Sequence, residues 1–259
     1  MKLSLQSKAI LKAACRVSPI LCLLAHYSVC ASAAVVTFTG EDLNAGPGSA
    51  HPVSSAAAGS FTTAASAIGN VSTINFESSP VGSFNSLVVA PGVTLTGTNY
   101  NGGNQAILNA SNSPSFPSLD GFNTTPGATN FVEIYAGTLT FTFATPTQFF
   151  GGYLTGIQTY FFQDTFTFSD GTSETINVPG TGTTNSVGAL DFVGFTDAGK
   201  SITSVTINAG TSPGGADYIG IDDVLYQSTP TTAPEPTSVF LAIAGGFMLA
   251  FGFQRRSKR

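Results

Sequence analysis

Tryptophan is absent from this chain of 259 residues, and cysteine is confined to one end of it. All three cysteines, Cys15, Cys22 and Cys30, precede residue 31. The rest of the chain therefore has no disulfide, no zinc-thiolate site and no cysteine nucleophile.

Basic residues are almost as scarce in the body of the chain. Eight of the nine lie within residues 1–16 and 255–259, and Lys200 is the remaining one. Residues 34–233 carry 13 carboxylates against that single lysine, so their net charge is −12. A body this acidic repels phosphate backbones, which excludes nucleic-acid binding through basic patches.

The N-terminal 33 residues have the three parts of a secretory signal peptide. A basic segment is followed by an apolar stretch from Val17 to Ala25 and by the small residues Ala31, Ser32 and Ala33. This order predicts export, with cleavage between Ala33 and Ala34.

The C-terminal segment predicts a membrane anchor. Pro234-Glu235-Pro236 precedes an uncharged, mostly apolar run over 239–253, and Arg255 and Arg256 open a basic tail over 255–259. A helix over 237–254 would be about 27 Å long, which is short for a bilayer but is helped by snorkelling basic side chains. The basic tail should stay cytoplasmic, which places the body outside the membrane.

The same C-terminal residues resemble the PEP-CTERM sorting signal of Gram-negative bacteria. The Pro234-Glu235-Pro236 motif, the short hydrophobic helix and the arginine-rich end occur in the order typical of that family. The resemblance implies processing by an exosortase, and it implies a cell-envelope, exopolysaccharide or biofilm setting. It implies nothing about the fold upstream.

Each end has an alternative interpretation. Cys30 could carry a lipoprotein anchor, although Val29 stands where the lipoprotein motif normally has Gly, Ala or Ser. The first 33 residues could also form a buried helix of a cytosolic fold. The C-terminal segment could be an ordinary single-pass anchor that is not processed.

The body divides into an arm, a domain and a linker. After a short strand-like piece at 35–39, residues 44–70 are rich in Ala, Gly, Ser and Pro and show no periodicity, so residues 34–70 are predicted to form a flexible arm. The globular domain should span 71–228, and a linker with the Pro-Glu-Pro motif should span 229–236.

Alternation of polar and apolar residues predicts strands in the domain. In Leu139-Thr140-Phe141-Thr142-Phe143 the apolar side chains fall on one face of a strand. Asp170-Gly171 between two alternating runs predicts a hairpin. About ten such runs without an evident amphipathic helix predict an all-β fold, an antiparallel β-sandwich of jelly-roll type.

Catalytic chemistry finds little support. His51 is the one histidine beyond residue 33, and in a flexible arm it could not serve as a general base. The alternative is an envelope glycoside hydrolase or lyase that uses paired carboxylates from Glu133, Asp164, Asp170 and Glu174. Turn formation and protection of strand edges explain such carboxylates equally well, so we predict a non-catalytic protein.

Adjacent carboxylates close the domain. Asp222 and Asp223 lie within an apolar strand, where neighbouring side chains face opposite sides, so one must point inward or lie at a bulge. A buried carboxylate needs a cation, hydrogen bonds or a proton, and Ca²⁺ with oxygen ligands is a suitable partner. Hydrogen bonding to backbone amides at a strand end is the alternative.

Two short motifs resemble bacterial jelly-roll carbohydrate-binding and adhesion modules. These are Phe76-Glu77 near the start of the domain and Ile221-Asp222-Asp223-Val224 at its end. The resemblance implies a structural calcium ion held by Glu77 with Asp222 or Asp223. Among the aromatic residues near position 160, Tyr160 is the predicted glycan contact, although core packing accounts for most of them.

Together these features predict an exported structural or adhesive protein of the cell envelope or extracellular matrix. Its expected partners are an exosortase, an exopolysaccharide or another envelope component, and the membrane through residues 237–254.

Overall fold

The computed structural model describes residues 35–99, 101–109, 121–157, 165–169, 173–177, 188–210 and 218–228. The elements in chain order are β1 (Val36–Leu43), α1 (Pro52–Ser66), β2 (Val71–Ile74), β3 (Gly82–Phe84), β4 (Ser86–Ala90), β5 (Val93–Thr98), β6 (Gln105–Leu108), β7 (Phe131–Tyr135), β8 (Thr138–Thr147), β9 (Phe149–Ile157), β10 (Thr165–Ser169), β11 (Ser173–Asn177), β12 (Ala189–Thr196), β13 (Ile202–Asn208) and β14 (Tyr218–Gln227). Side chains of strands β10 and β11 are not described, except that of Thr175.

The described strands form two antiparallel sheets. The eight-stranded sheet has the order β1-β12-β9-β14-β7-β6-β3, with β2 paired to β14 beside β7. The six-stranded sheet has the order β11-β10-β13-β8-β5-β4. Sequence-distant strands are neighbours in both sheets, so the sheets depend on non-local pairing.

The two sheets pack face to face as a β-sandwich. On β8, Leu139 and Phe141 are fully buried, and Thr142 that follows them is exposed, as the alternating sequence predicts. On the eight-stranded sheet, Phe150 meets Phe141 with ring centroids 5.1 Å apart. The prediction of an antiparallel β-sandwich is therefore confirmed for the described residues.

The two runs predicted to pair around Asp170-Gly171 do pair. Strands β10 and β11 are antiparallel, with Ser169 opposite Ser173, and the residues between them lie outside the described part. Strand β3 has three residues, two of them exposed, and is too short to show alternation in the sequence.

The prediction of a flexible arm over 34–70 is wrong. Strand β1 forms eight register pairs with β12, and residues 52–66 form helix α1. The buried stripe of α1 consists of Ser54, Ala58, Phe61 and Ala65, spaced as one face of a helix requires. Only Phe61 among them is large, which is why the sequence showed no apolar period.

Helix α1 packs on the outer face of the eight-stranded sheet. Phe61 is fully buried there against Phe38, Phe149 and Phe192. Pro52 begins the helix at a position where a missing N–H costs nothing. No described helix is long and apolar enough to cross a membrane, and residues 237–254 lie outside the described part.

Candidate binding pocket and its carboxylate clamps

A loop over residues 121–130 crosses the outer face of the eight-stranded sheet. It is fixed at Phe122, whose N–H donates to Thr155 Oγ1 at 2.8 Å and whose carbonyl accepts from the same hydroxyl at 3.0 Å. Gly121 has φ of 88° and lies so close to Gly220 that a Cβ on either residue would overlap its surroundings. Glycine is therefore required where the loop approaches β14.

The first carboxylate clamp lies at a bulge in β14. The pairing of β14 with β9 shifts register between Asp222 and Leu225, and Asp223 has φ of 46°. The bulge lets both adjacent carboxylates reach the same loop, as the sequence prediction of an inward residue or a bulge required.

Both carboxylates of this clamp accept hydrogen bonds from Thr124 and Thr125. Asp222 Oδ2 accepts from the Thr124 N–H at 2.7 Å and from the Thr125 N–H at 3.2 Å. Asp223 Oδ1 accepts from the Thr125 hydroxyl at 2.7 Å, and its Oδ2 accepts from the Thr124 hydroxyl at 3.0 Å. Backbone amides thus hold Asp222, which was the alternative to calcium.

Asp222 is fully buried, and its second oxygen, Oδ1, has no hydrogen-bond partner among the described residues. Burial, and then the neighbouring charge of Asp223, raise the pKa of Asp222 to about 7, although the donors from Thr124 act in the opposite direction. Burial is therefore the main reason that Asp222 keeps a proton more readily than an exposed carboxyl does.

The second clamp is Glu77, which follows Phe76 in a left-handed backbone conformation with φ of 58°. Glu77 Oε1 accepts from the Asn130 N–H and from Asn123 Nδ2, both at 2.9 Å, and from the Thr129 N–H at 3.2 Å. Glu77 therefore holds the second half of the loop, whereas Asp222 and Asp223 hold its first half.

The third clamp joins β1 to the start of helix α1. Asp42 Oδ2 accepts from the Ser54 N–H and the Ser54 hydroxyl, both at 2.7 Å, and Oδ1 accepts from the Val53 N–H at 3.1 Å. Burial alone would raise the pKa of Asp42, but the donors of Ser54 and Val53 and the nearby His51 keep that pKa below its usual value. His51 is the N-cap residue of α1 but makes no capping hydrogen bond with its side chain, so Asp42 caps the helix N-terminus instead.

His51 is ordered by this arrangement, which corrects its predicted place in a flexible arm. Its Nδ1 lies 2.9 Å from the Ser49 carbonyl, and its ring centroid lies 6.0 Å from that of Tyr153. Burial raises the pKa of Tyr153; the hydrogen bond with Ser55 opposes this, and the charges of Asp223 and Asp42 add to it. The first and third clamps therefore act electrostatically on the same ring.

A pocket of about 400 Å³ lies between residues 46–51 and the loop over residues 121–130. Residues 46–49 and 122–128 form its walls, together with His51 and Leu190. Phe122 and Leu190 are buried and pack with Ala45, so the pocket rests on a small apolar cluster. The volume lies at the lower end of the range for ligand pockets.

Comparison with protein-family models finds no match, and comparison with curated proteins finds none either. Among solved structures, the K2 cleaved adhesin domain of Lys-gingipain is 18% identical, with a TM-score of 0.39 over 61% of this chain and 98% of that domain. A ligand-recognition mutant of a family 29 carbohydrate-binding module is 11% identical, with a TM-score of 0.28 over 64% of this chain and 99% of that module.

The structure brings the predicted residues Glu77, Asp222 and Asp223 to one loop, from opposite ends of the domain sequence. It does not gather three or more His, Cys, Asp or Glu side chains into a metal-binding group within the described ranges. Two buried oxygens in this region have no hydrogen-bond partner among the described residues, Asp222 Oδ1 and Asn123 Oδ1.

Other predicted site residues lie outside the described part of the chain. They are Tyr160, Asp164, Asp170, the cleavage residues Ala31, Ala33 and Ala34, and the sorting residues Pro234, Glu235, Pro236, Arg255 and Arg256. Glu133 is half-buried on β7, and the side chain of Glu174 is not described. The paired carboxylates proposed for glycoside cleavage therefore stay a prediction.

Proposed function

We propose that this chain is an exported, non-catalytic adhesive or structural protein that binds an exopolysaccharide of the cell envelope or extracellular matrix through the pocket between residues 46–51 and 122–128. One observation carries the proposal: Asp222 and Asp223 hold backbone and hydroxyl donors of the pocket wall at Thr124 and Thr125, and Glu77 holds the wall residue Asn123 through its Nδ2. Such carboxylates fix the shape of a binding site, and this is the role that the proposal gives them.

Preorganisation is the physical advantage of this arrangement. A loop that is ordered before binding loses little conformational entropy when a ligand arrives. Here Asp222 and Asp223 hold Thr124 and Thr125, and Glu77 holds Asn130. The walls supply amide and hydroxyl groups beside apolar surface, which is the usual lining of a small-ligand pocket.

Polysaccharide binding without turnover tests this function. The purified full chain should retain a neutral bacterial exopolysaccharide in an affinity gel or in calorimetry, and incubation should release no reducing ends. Release that is lost in the Glu133→Ala variant would instead identify an envelope enzyme and contradict the proposal.

Calcium remains our proposal for the Asp222 region. Asp222 Oδ1 and Asn123 Oδ1 are carboxylate and amide oxygens, which are suitable Ca²⁺ ligands, and both have no hydrogen-bond partner among the described residues. Glu77 and Asp223 would reach the ion only by giving up donors that they hold now. Elemental analysis that finds no calcium, with an unchanged melting temperature after chelation, would remove this proposal.

Export and anchoring complete the proposed function. We propose that residues 1–33 are removed after Ala33, that the domain is of jelly-roll type, and that exosortase acts at the PEP-CTERM segment before a helix over 237–254. The supporting features are the basic segment before the N-terminal apolar stretch, the basic tail after the C-terminal apolar run, and the Pro-Glu-Pro motif. Mass spectrometry of both mature termini tests this part, and an uncut cytosolic product would refute it.

A further inference from the structure

We propose that the polysaccharide recognised by the pocket carries free primary amines, and that His51 Nε2 accepts a hydrogen bond from the ammonium group of an amino sugar. This inference rests on the proposed function, and it specifies the chemical class of the polymer. It has three supports: an accessible acceptor in the pocket wall, the shortage of side-chain donors in that wall, and the negative charge behind it.

His51 presents an acceptor to the pocket that it lines. Its Nδ1 lies 2.9 Å from the Ser49 carbonyl, and a carbonyl can only accept, so Nδ1 carries the hydrogen. In the uncharged ring Nε2 is then an acceptor. Nε2 has no hydrogen-bond partner among the described residues, and unlike the buried Oδ1 atoms of Asn123 and Asp222 it keeps accessible surface. The Ser49 carbonyl and the Tyr153 ring hold the imidazole in place.

The other polar side chains of the wall have few hydrogens left to donate. Both hydrogens of Asn123 Nδ2 are donated to acceptors outside the pocket lining. The hydroxyls of Thr124 and Thr125 donate to the carboxylates of the first clamp. Among the described lining residues, the Ser49 hydroxyl is the remaining side-chain donor. A ligand must therefore bring donors of its own, as an ammonium group does.

Charge near the pocket favours a cation. The described lining residues include no Lys, Arg, Asp or Glu, and His51 is the one titratable side chain among them. Behind the wall, Asp223 and Glu77 each accept a hydrogen bond from a lining residue. Burial raises the pKa of Asp222 to about 7, so this third carboxylate adds negative charge as the pH rises. While His51 is uncharged, no cation of the lining offsets these carboxylates, so they attract an ammonium group and repel an acidic sugar.

Size and surface suit a single amino sugar. A volume of about 400 Å³ lies near the minimum for ligand pockets and holds one small unit rather than a long stretch of polymer. Phe122, Leu190 and Pro126 give the lining apolar surface for the C–H groups of a sugar ring. His51 and Ser49 lie in the same lining and can bind polar groups at the edge of that ring.

The probes are the methyl glycosides of glucosamine, N-acetylglucosamine and N-trimethylglucosamine. Glucosamine has a charged amine with N–H donors, the acetylated sugar has no charge, and the trimethylated sugar keeps the charge but has no N–H. Calorimetry of the full chain at about pH 7 should show the tightest binding for glucosamine. Each of the other two should bind roughly ten-fold more weakly, because a charge-assisted hydrogen bond is lost.

Two variants at position 51 locate the contact. His51→Phe keeps a flat ring against Tyr153 but removes the acceptor, so the preference for glucosamine over its trimethyl derivative should disappear. His51→Gln places an amide oxygen near the position of Nε2 and should keep part of that preference. Asn101→Ala, at an exposed turn outside the pocket lining, is the matched control and should bind as the unchanged chain does.

The outcomes separate this inference from the proposed function. A partly de-N-acetylated polysaccharide should bind the full chain roughly ten-fold more tightly than its fully acetylated, neutral counterpart. Equal binding of the two polymers overturns the inference and leaves the proposed function standing, whereas the absence of any polysaccharide binding overturns both. If the trimethyl derivative binds as tightly as glucosamine, or if His51→Phe keeps the preference, charge alone attracts the ligand and the His51 contact is refuted.

Discussion

Helix α1 should be an integral part of the folded domain, and Phe61→Ala tests this most directly. Phe61 is fully buried, with ring centroids 5.8, 6.0 and 5.5 Å from those of Phe38, Phe149 and Phe192. Beneath its ring lie Gly151 and Gly194, which are paired across β9 and β12. Backbone rather than side chain therefore forms the floor of this site, so the site cannot collapse easily around a smaller residue.

Truncation of a buried phenylalanine costs about 3–5 kcal/mol, and poor collapse favours the upper part of that range. For a domain of this size, a loss of about 4 kcal/mol lowers the melting temperature by roughly 8–16 °C. Urea unfolding of the full chain measures the free energy, followed by tyrosine fluorescence because tryptophan is absent.

The matched control is Val53→Ala on the same helix. Val53 is 52% exposed, so its truncation should change the unfolding free energy by less than about 0.5 kcal/mol. If Phe61→Ala lay within about 1 kcal/mol of the unchanged chain, the helix would not be docked, and the flexible-arm interpretation would be restored.

Two further predictions concern the clamps, and a third concerns the attachment of the loop at Phe122. Asp42→Asn should lower the free energy of unfolding by about 2 kcal/mol at pH 7. Because the pKa of Asp42 is lowered on folding, the difference between the variant and the unchanged chain should shrink as the pH falls below about 4. An equal loss at pH 3 would contradict this prediction. The pKa of Asp222 is raised to about 7, so between about pH 4 and 7 the folded state holds a proton that the unfolded chain has lost. With a chelator present, the free energy of unfolding should therefore fall as the pH rises through this range. Asp222→Asn should remove that part of the slope, and an unchanged slope would refute the assignment. Thr155→Val should cost about 2 kcal/mol or more, because it leaves the buried N–H and carbonyl of Phe122 without their partner, whereas Thr155→Ser should be much milder; equal losses would contradict the hydrogen-bond explanation.

The strands could be predicted from the sequence because their two faces differ in chemistry. On β8, Leu139, Phe141 and Phe143 are buried and Thr142 is exposed, so burial follows the period of two directly. The turn residues Asp170 and Gly171 then indicated which neighbouring runs pair.

Helix α1 could not be predicted in the same way, because its buried side is small. Ser54, Ala58 and Ala65 are buried with Phe61, but they differ little in hydrophobicity from the exposed Ala, Ser and Thr residues around them. Close approach to the sheet explains this composition: a Cβ at Gly40 would overlap the Val53 carbonyl on α1. Only small residues fit there, and small residues carry little periodic signal.

The candidate site could be predicted only in part. The adjacency of Asp222 and Asp223 in an apolar strand was enough to predict a bulge or an inward carboxylate. Asp42 and His51 were missed as site residues because the segment that contains them was predicted to be a flexible arm, and Asn123 was missed because its partner Glu77 lies 46 residues away in sequence. The Asn-Thr-Thr sequence at 123–125 directly after Phe122 was the available signal, since such residues supply donors in loops.

The acidic composition of the body and the construction of its loops have one physical explanation. Lys200 is the single Lys or Arg between positions 34 and 233, and it pairs with the buried Asp197 at 3.4 Å, so the other buried carboxylates of the described residues need different partners. Glu77, Asp42 and Asp222 instead take N–H and hydroxyl donors from loop backbone, Asn, Ser and Thr. Each such carboxylate orders several residues at once, so a few acids determine the shape of the pocket. The same dependence makes the pocket walls sensitive to protons and cations, because either one competes with the loop for the carboxylate oxygens.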